Sequence, residues 1–372
     1  MWTAINPLAN PKGENKWCEI CQKTAYLQCT QCHVTFYCNV AHQQADWNSI
    51  HKKVCQLLIP IRTPAPFHFL QADRDCHRKQ TQKRLEHLMN LSHTEAKGRV
   101  LGEKYEEALP AAQLSLCCAK ELNGSDAVKL VPAYLLLAEA NMGLGSLSEA
   151  ESCLANAEWT VMRAPNCSRV ILHQLHRTLG LLHTAKRNYS SALLHFANDV
   201  YYASQELGLK SVVTARGYFL MANVFMKQEK LDIARSLYSE HVCIFVLGMQ
   251  VISTWHAHLS KLMECYCLKE NQAEQCIDDV QCAEANQMLS ALLENQPQKL
   301  NPHPAYSAML SHSLAMICFL CNNHIRALEF GRKAAEFSKQ CEQSNLSESI
   351  QHLIQQAETH LTSEQTPSIS NN

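Results

Sequence analysis

Eight side chains near the N-terminus have the types and spacing of a metal-binding set. They come as four pairs: Cys18 and Cys21, Cys29 and Cys32, Cys38 and His42, and His51 and Cys55. Two residues between ligands fit a tight turn that aims both sulfurs at one ion, and three between ligands suit a turn of helix. Four such pairs make two tetrahedral sites. Thiolate and imidazole are the donors that zinc favours, and four protein ligands leave no open position for an activated water, so both zincs read as structural. The segment has few large apolar residues of its own. Metal binding must then supply most of its folding free energy, on the order of 10 kcal/mol per structural zinc at neutral pH.

Around these ligands stand a Tyr37-Cys38 step and the run Gln43-Gln44-Ala45-Asp46-Trp47 ahead of His51-Lys52. Together with the spacing, they make the segment resemble a MYND finger over about forty residues. The resemblance implies interleaved pairs: Cys18, Cys21, Cys38 and His42 on one zinc, and Cys29, Cys32, His51 and Cys55 on the other. It also implies a groove for a short proline-rich peptide, with Gln43 and Trp47 taking part; the alternative role for Trp47 is packing the small helix on the zinc knuckles. One position departs from the family pattern. The sixth ligand is His42 where Cys is usual, which makes the first site less negative and more acid-sensitive.

The rest of the chain must position this finger and add its own surface. With 372 residues, 47 % of them hydrophobic, only 11 Gly and 12 Pro, the composition favours an all-α fold over a turn-rich β architecture. An extension over 1–16 precedes the finger at 17–56. Pro60, Pro64 and Pro66 mark a linker over 57–72. A helix is expected over Asp73–Leu91, its Arg74, Arg78, Lys79, Lys83 and Arg84 forming a solvated face interrupted by Asp73, Asp75 and Glu86.

Beyond it, small residues recur at steps of 42: Ala96, Ala138, Gly180 and Ala222, each followed twelve residues later by Ala108, Ala150, Ala192 and Ala234. Two antiparallel helices approach closely only where side chains are small, so each such pair marks a helical hairpin. The pattern resembles the tetratricopeptide repeat, with Ala138, Ala150 and Ala157 as its small positions and Phe196 and Tyr238 at an aromatic one. A degenerate unit fits Trp255–Leu289, and another fits Ala315, Ala327 and Ala334. About six hairpins over 73–345 are expected to stack as a superhelix, with Gln174, Arg177, Arg216, Phe219, Asn223 and Lys227 lining a partner-binding concave face. A helix end and a disordered polar tail follow over 346–372.

Several functions are disfavoured. A formal net charge of −1 creates no field toward nucleic acid or an anionic membrane. The first sixteen residues lack a secretory core, and the apolar run Val242–Ser253 is too short to span a bilayer, so a soluble intracellular protein is expected. In that setting the nineteen cysteines, six of them by residue 55, are not a disulfide framework.

MYND fingers also occur in lysine methyltransferases, but the repeats begin here within about forty residues of Cys55. There is no room for a catalytic domain, and no Asn-His-Ser tripeptide, phosphate loop or nucleophile elbow. The chain therefore reads as non-enzymatic. His256, His258, Cys265, Cys267, Cys276 and Cys282 are too irregularly spaced to read as a further metal set.

Two functions remain. One is an assembly adaptor; the other is a transcriptional co-regulator that recruits proline-containing peptides. The repeats lack the Lys and Asn pair of chaperone-tail binders, and finger, linker and 42-residue repeats in that order resemble a MYND-finger protein with tetratricopeptide-like repeats, a resemblance that implies a ciliary or sperm-flagellar context. That resemblance implies a tetratricopeptide-containing axonemal partner.

Overall fold

The computed structural model describes residues 2–5, 16–64, 67, 69–124, 127–164, 166–228, 251–263, 279–294, 304–340 and 344–364. The chain divides into two compact units, Met1–Arg187 and Asn188–Asn372. The expected array over 73–345 thus falls into two parts, and the first contains the finger.

In the first unit, β1 (Trp2–Ala4), β2 (Leu27–Cys29) and β3 (Phe36–Tyr37) form an antiparallel sheet, with Trp2 opposite Cys29 and Leu27 opposite Tyr37. Residues 2–4 were expected to precede the finger. They instead supply its edge strand, because the backbone of β2 has a second side to satisfy.

After the sheet come α1 (Val40–Asp46), one wide π-helical turn (Trp47–His51) and α2 (Lys52–Arg62). The Asn39 side chain caps α1 by accepting from the His42 backbone N–H at 2.8 Å. The proline linker is shorter than its residues suggested. Pro60 sits inside α2, where its missing N–H and its ring work against the preceding turn. The helix persists for two residues more because Ile50, Val54 and Leu58, spaced four apart, are buried along it. The Thr63 N–H and hydroxyl both donate to the Ile59 carbonyl and close the end.

The first helical hairpin is α3 (Gln71–Leu101) with α4 (Tyr105–Asn123). The helix expected over Asp73–Leu91 and the one carrying Ala96 are a single element about 46 Å long at 1.5 Å per residue. Arg74, Arg78, Lys79, Lys83 and Arg84 are all exposed on it. Then follow α5 (Val131–Gly143), α6 (Leu147–Met162) and α7 (Arg169–Ala185).

Consecutive helices pack as pairs, and the small residues lie at the crossings: Ala96, Ala108, Ala138, Ala150 and Ala157 are fully buried. Gly143 lies at a further close approach. A Cβ there would fall 2.2 Å from the Tyr105 ring of α4, so only glycine allows that approach. Positive φ at Glu103, Gly145 and Arg187 ends α3, α5 and α7. These turns are again 42 residues apart.

The second unit holds α8 (Tyr189–Leu207), α9 (Val212–Lys227), α10 (251–263), α11 (Asp279–Glu294), α12 (Pro304–Leu320), α13 (His324–Ser338) and α14 (Ser344–Glu364). Its core gathers Trp255 and Leu259 of α10, Met288 and Leu289 of α11, and Leu310, Leu314 and Phe319 of α12. Nearly every residue from Tyr306 to Phe319 is buried, the pattern of a helix enclosed on all sides.

Of the expected small and aromatic positions, Ala192, Phe196, Ala222, Ala315, Ala327 and Ala334 are interior; Ala234 and Tyr238 lie outside the described residues. The end of the chain also differs from expectation. α14 is a 21-residue element packed on α12 and α13, not a helix end, and it runs past Thr362 to Glu364. Its Ile350, Leu353 and Ala357 are buried at heptad-like spacing, which is what holds it there. Among the described residues no helix is long and apolar enough to cross a membrane.

Candidate metal centre

Two turns build the first halves of both sites. The Gln22 N–H donates to the Cys18 carbonyl at 3.0 Å and the His33 N–H to the Cys29 carbonyl at 3.1 Å. Gln22 and His33, each just after the second Cys of its pair, adopt positive φ of 55° and 58°. Both Cys-x2-Cys segments are therefore the same tight knuckle. The second halves come from the sheet edge and the long helix: Cys38 follows β3, His42 opens α1, His51 ends the π-turn and Cys55 lies one turn later in α2.

The donor atoms close into two clusters, Cys18, Cys21, Cys38 and His42, and Cys29, Cys32, His51 and Cys55. This is the interleaved pairing that the resemblance implied. In the first, His42 Nδ1 lies 3.2 Å from Cys38 Sγ and 3.4 Å from Cys18 Sγ, and Cys21 and Cys38 sulfurs are 3.5 Å apart. In the second, His51 Nε2 lies 3.4 Å from Cys29 and 3.7 Å from Cys32, with the Cys29 and Cys55 sulfurs 4.0 Å apart. A tetrahedral zinc with bonds of about 2.3 Å to sulfur and about 2.0 Å to nitrogen has donor-to-donor edges of about 3.5–3.8 Å. Both donor sets fit. They are the sites of two structural zinc ions, each fully ligated by protein.

The groups behind these ligands were not legible as functional. Asp46 and His51 are five residues apart, which an α-helix would place about 140° from each other. The π-turn brings such a pair together. Asp46 Oδ2 comes within 3.7 Å of His51 Nδ1, the nitrogen not aimed at the metal, and accepts a 2.6 Å hydrogen bond from the Tyr37 hydroxyl.

Burial pushes the Asp46 carboxyl up to about 6, partly opposed by that hydroxyl, and holds His51 down at about 4, so His51 is a neutral ligand at pH 7. Burial and the Asp46 charge lift the Tyr37 hydroxyl far above its ordinary value. Thr35, also buried, sets its hydroxyl 3.2 Å from Cys32 Sγ, positioned to donate to the thiolate. Outer partners of this kind orient ligands and tune affinity. Thr35→Val, which removes only the donor, is expected to weaken zinc binding at the second site about 10–100-fold. Titration against a chromogenic chelator measures it, and an unchanged affinity would deny the hydroxyl its role.

Without metal, burial pushes the Cys38 thiol up to about 11 and the Cys55 thiol up to about 12, their neighbouring cysteines adding to it. Cys29 goes the other way: burial would raise it, but the backbone N–H groups of Cys32 and Gln31 outweigh that. At pH 7 Cys38 and Cys55 therefore hold protons that the metal must expel. Protons are products of binding, so apparent affinity falls as pH falls, by about tenfold per unit for each proton released. At least one proton per site predicts a loss of about 100-fold or more per site from pH 8 to pH 6. Competition titrations across that range, or proton release by calorimetry in two buffers, would detect it; a flat profile would refute it.

The finger is continuous with the first hairpin. While His51 and Cys55 face the metal, Ile50, Val54 and Leu58 share one core with Leu85, Leu88, Ala111 and Ala112 of α3 and α4. Arg99 of α3 donates to the Asn48 and Ser49 carbonyls of the π-turn at 2.9 and 2.6 Å and pairs with Glu107, whose carbonyl accepts from the Ser49 hydroxyl at 2.5 Å. Lys53 pairs with Glu95. Arg62 holds the Glu19 carboxylate with both terminal nitrogens and donates to the Val34 carbonyl at 3.2 Å, tying the end of α2 back to the first knuckle.

The expected contact residues fare differently. Trp47 is half-buried, with its ring 5.7 Å from that of the zinc ligand His51, and Gln43 is 3 % exposed. Of the six expected on a partner-facing surface, Arg177 and Phe219 are interior. Each stands three residues before the small residue of its helix, Gly180 or Ala222, and so shares its packed face. Arg216 is paired with Glu284 at 3.0 Å. Gln174 and Asn223 are half-buried and Lys227 is exposed.

Residues 18–55 match the family model of the MYND finger, from the first ligand to the last. A MYND finger is a zinc-binding protein-interaction module.

Proposed function

We propose that the chain is a non-enzymatic adaptor whose zinc finger serves as the end piece of a tetratricopeptide-like set of hairpins, and that it assembles or stabilises a ciliary or sperm-flagellar axonemal complex. The shared core of Ile50, Val54 and Leu58 with α3 and α4 carries this reading. A hairpin at the end of a stack has one apolar face with no neighbour, and stable arrays cover it with a specialised cap. Here the metal-fixed helix does that. Partners then dock on the hairpins, the exposed Lys227 and the half-buried Gln174 and Asn223 being candidates, and a tetratricopeptide-containing axonemal protein is the partner class.

The test is affinity purification of tagged full-length chain from ciliated or spermatogenic cells, beside Cys29→Ser. The reading expects axonemal proteins with the first chain and a depleted set with the second. Steady nuclear residence, with proline-containing partners lost on Trp47→Ala, would replace it with the co-regulator reading.

A further inference from the structure

Among the described residues, three or more metal donors converge only in the two clusters of the finger; Cys265, Cys267 and Cys276 lie outside those residues. A different chemistry gathers where α2 ends. Thr63, the residue after the helix, is exposed, has extended backbone (φ −80°, ψ 137°) and precedes Pro64. Of the serines and threonines in the chain, only Thr63 and Thr366 are followed by proline. An accessible hydroxyl in extended chain with proline next to it is what proline-directed protein kinases accept, because the fixed ring and missing N–H set that step apart from other hydroxyls. Thr63 also lines an open cavity of about 750 Å³ together with Arg74, His77 and Arg78 of α3. Glu121 of α4 is the one carboxylate in that lining, so the wall keeps an excess of positive charge. Core packing does not account for these cations: from Gln71 to Arg84 no residue of α3 is buried. Arg74 donates to the neutral Gln71 amide at 2.8 Å, and Arg78 has no ion pair among the described residues.

We propose that Thr63 is a phosphorylation site and that Arg74 and Arg78 hold the phosphate. With ATP as donor on a protein kinase, Thr63 Oγ bonds to the γ-phosphorus, the bond from that phosphorus to the ADP oxygen breaks, and the hydroxyl proton passes to the kinase's base. The product carries about −1.5 to −2 charge at pH 7 and three acceptor oxygens. Two things then change at the end of α2. The Thr63 oxygen can no longer donate to the Ile59 carbonyl, a bond of 2.6 Å in the unmodified chain. A negative charge also stands at the negative end of the helix dipole, where it is disfavoured. The guanidinium groups of α3 supply replacement partners, with N–H pairs that match phosphate oxygens. Modification thus exchanges the cap of α2 for a tie from the end of α2 to α3, across the connection between the finger and the first hairpin. This inference is independent of the adaptor reading.

Full-length Thr366→Ala chain, incubated with ATP and a recombinant proline-directed kinase and mapped by mass spectrometry, should carry one phosphate, on Thr63; adding Thr63→Ala should leave none. Phosphorus-31 NMR then reads the capture. A free phosphothreonine loses its second proton at about pH 6. Neighbouring guanidinium groups favour the dianion, so in the folded chain the midpoint should lie lower by about half a pH unit or more. Arg74→Gln with Arg78→Gln should restore it, whereas Lys79→Gln with Lys83→Gln, on the same helix but outside the cavity lining, should move it less. All four side chains are exposed, and circular dichroism checks that the variants keep their helices. No phosphate on Thr63, while a Thr-Pro control peptide is modified, would overturn the site. A midpoint unmoved by the arginine substitutions, or moved equally by the lysine pair, would overturn the capture.

Discussion

Cys55→Ser is expected to release one zinc and, with it, to loosen a hairpin that contains no metal ligand. The reason lies in α2. His51 and Cys55 face the second zinc, while Val54 and Leu58, on an adjacent face of the same helix, are buried against α3 and α4. An eleven-residue helix carrying Pro60 has little stability of its own. Emptying the site removes free energy on the order of 10 kcal/mol, comparable with the whole stability of a small domain. Amide hydrogen exchange should show protection lost along α2 and reduced in α3 and α4.

Cys18→Ser supplies the contrast. Its site is anchored by the first knuckle, Cys38 and the start of α1, so the hairpin should lose less protection than with Cys55→Ser. Elemental analysis should read one zinc in both variants. If the hairpin kept full protection without its second-site metal, the finger would be an appended module and not a cap.

The legibility of these features in the sequence follows the strength of the local chemistry. The ligands could be read because coordination fixes both residue type and spacing; their pairing came through family resemblance and agrees with the clusters. The hairpins could be read because small residues at Ala96, Ala138 and Gly180 answer a steric requirement that repeats. Their turns could not: Glu103 and Arg187 hold the same left-handed conformation as Gly145, and neither residue type announces it.

Pro60 misled for a related reason. Local propensity argues for a break there, whereas the packing of Leu58 and the Arg62 to Glu19 pair, 43 residues apart in sequence, hold the helix on. Asp46 and Thr35 depend on such distant pairings too. Phe219 shows the opposite error. It was counted as surface from its place in a repeat, although its three-residue offset from Ala222 puts it on the packed side.

Val54→Asp should separate the finger from the hairpin without emptying the zinc sites. Val54 is fully buried and lies between the two ligand positions His51 and Cys55, but its side chain belongs to the seam with α3 and α4. A carboxyl there must either be buried without a partner or stay protonated, at a cost of about 3–5 kcal/mol. Val54→Ala leaves only a cavity, at about 1–3 kcal/mol. Exposed Lys52→Ala on the same helix should be near neutral.

The coordination chemistry is unaffected by any of these, so at excess zinc all three variants should retain both finger ions. In Val54→Asp, the melting temperature should fall and limited proteolysis should cut between α2 and α3, where Phe67, Phe69 and Leu70 are already exposed. The metal-loaded finger would then be released as a fragment. Loss of zinc in step with cleavage would mean that the seam is part of the metal site's own stability. An unaltered melting temperature would mean that the seam contributes little, and that metal alone holds α2 in place.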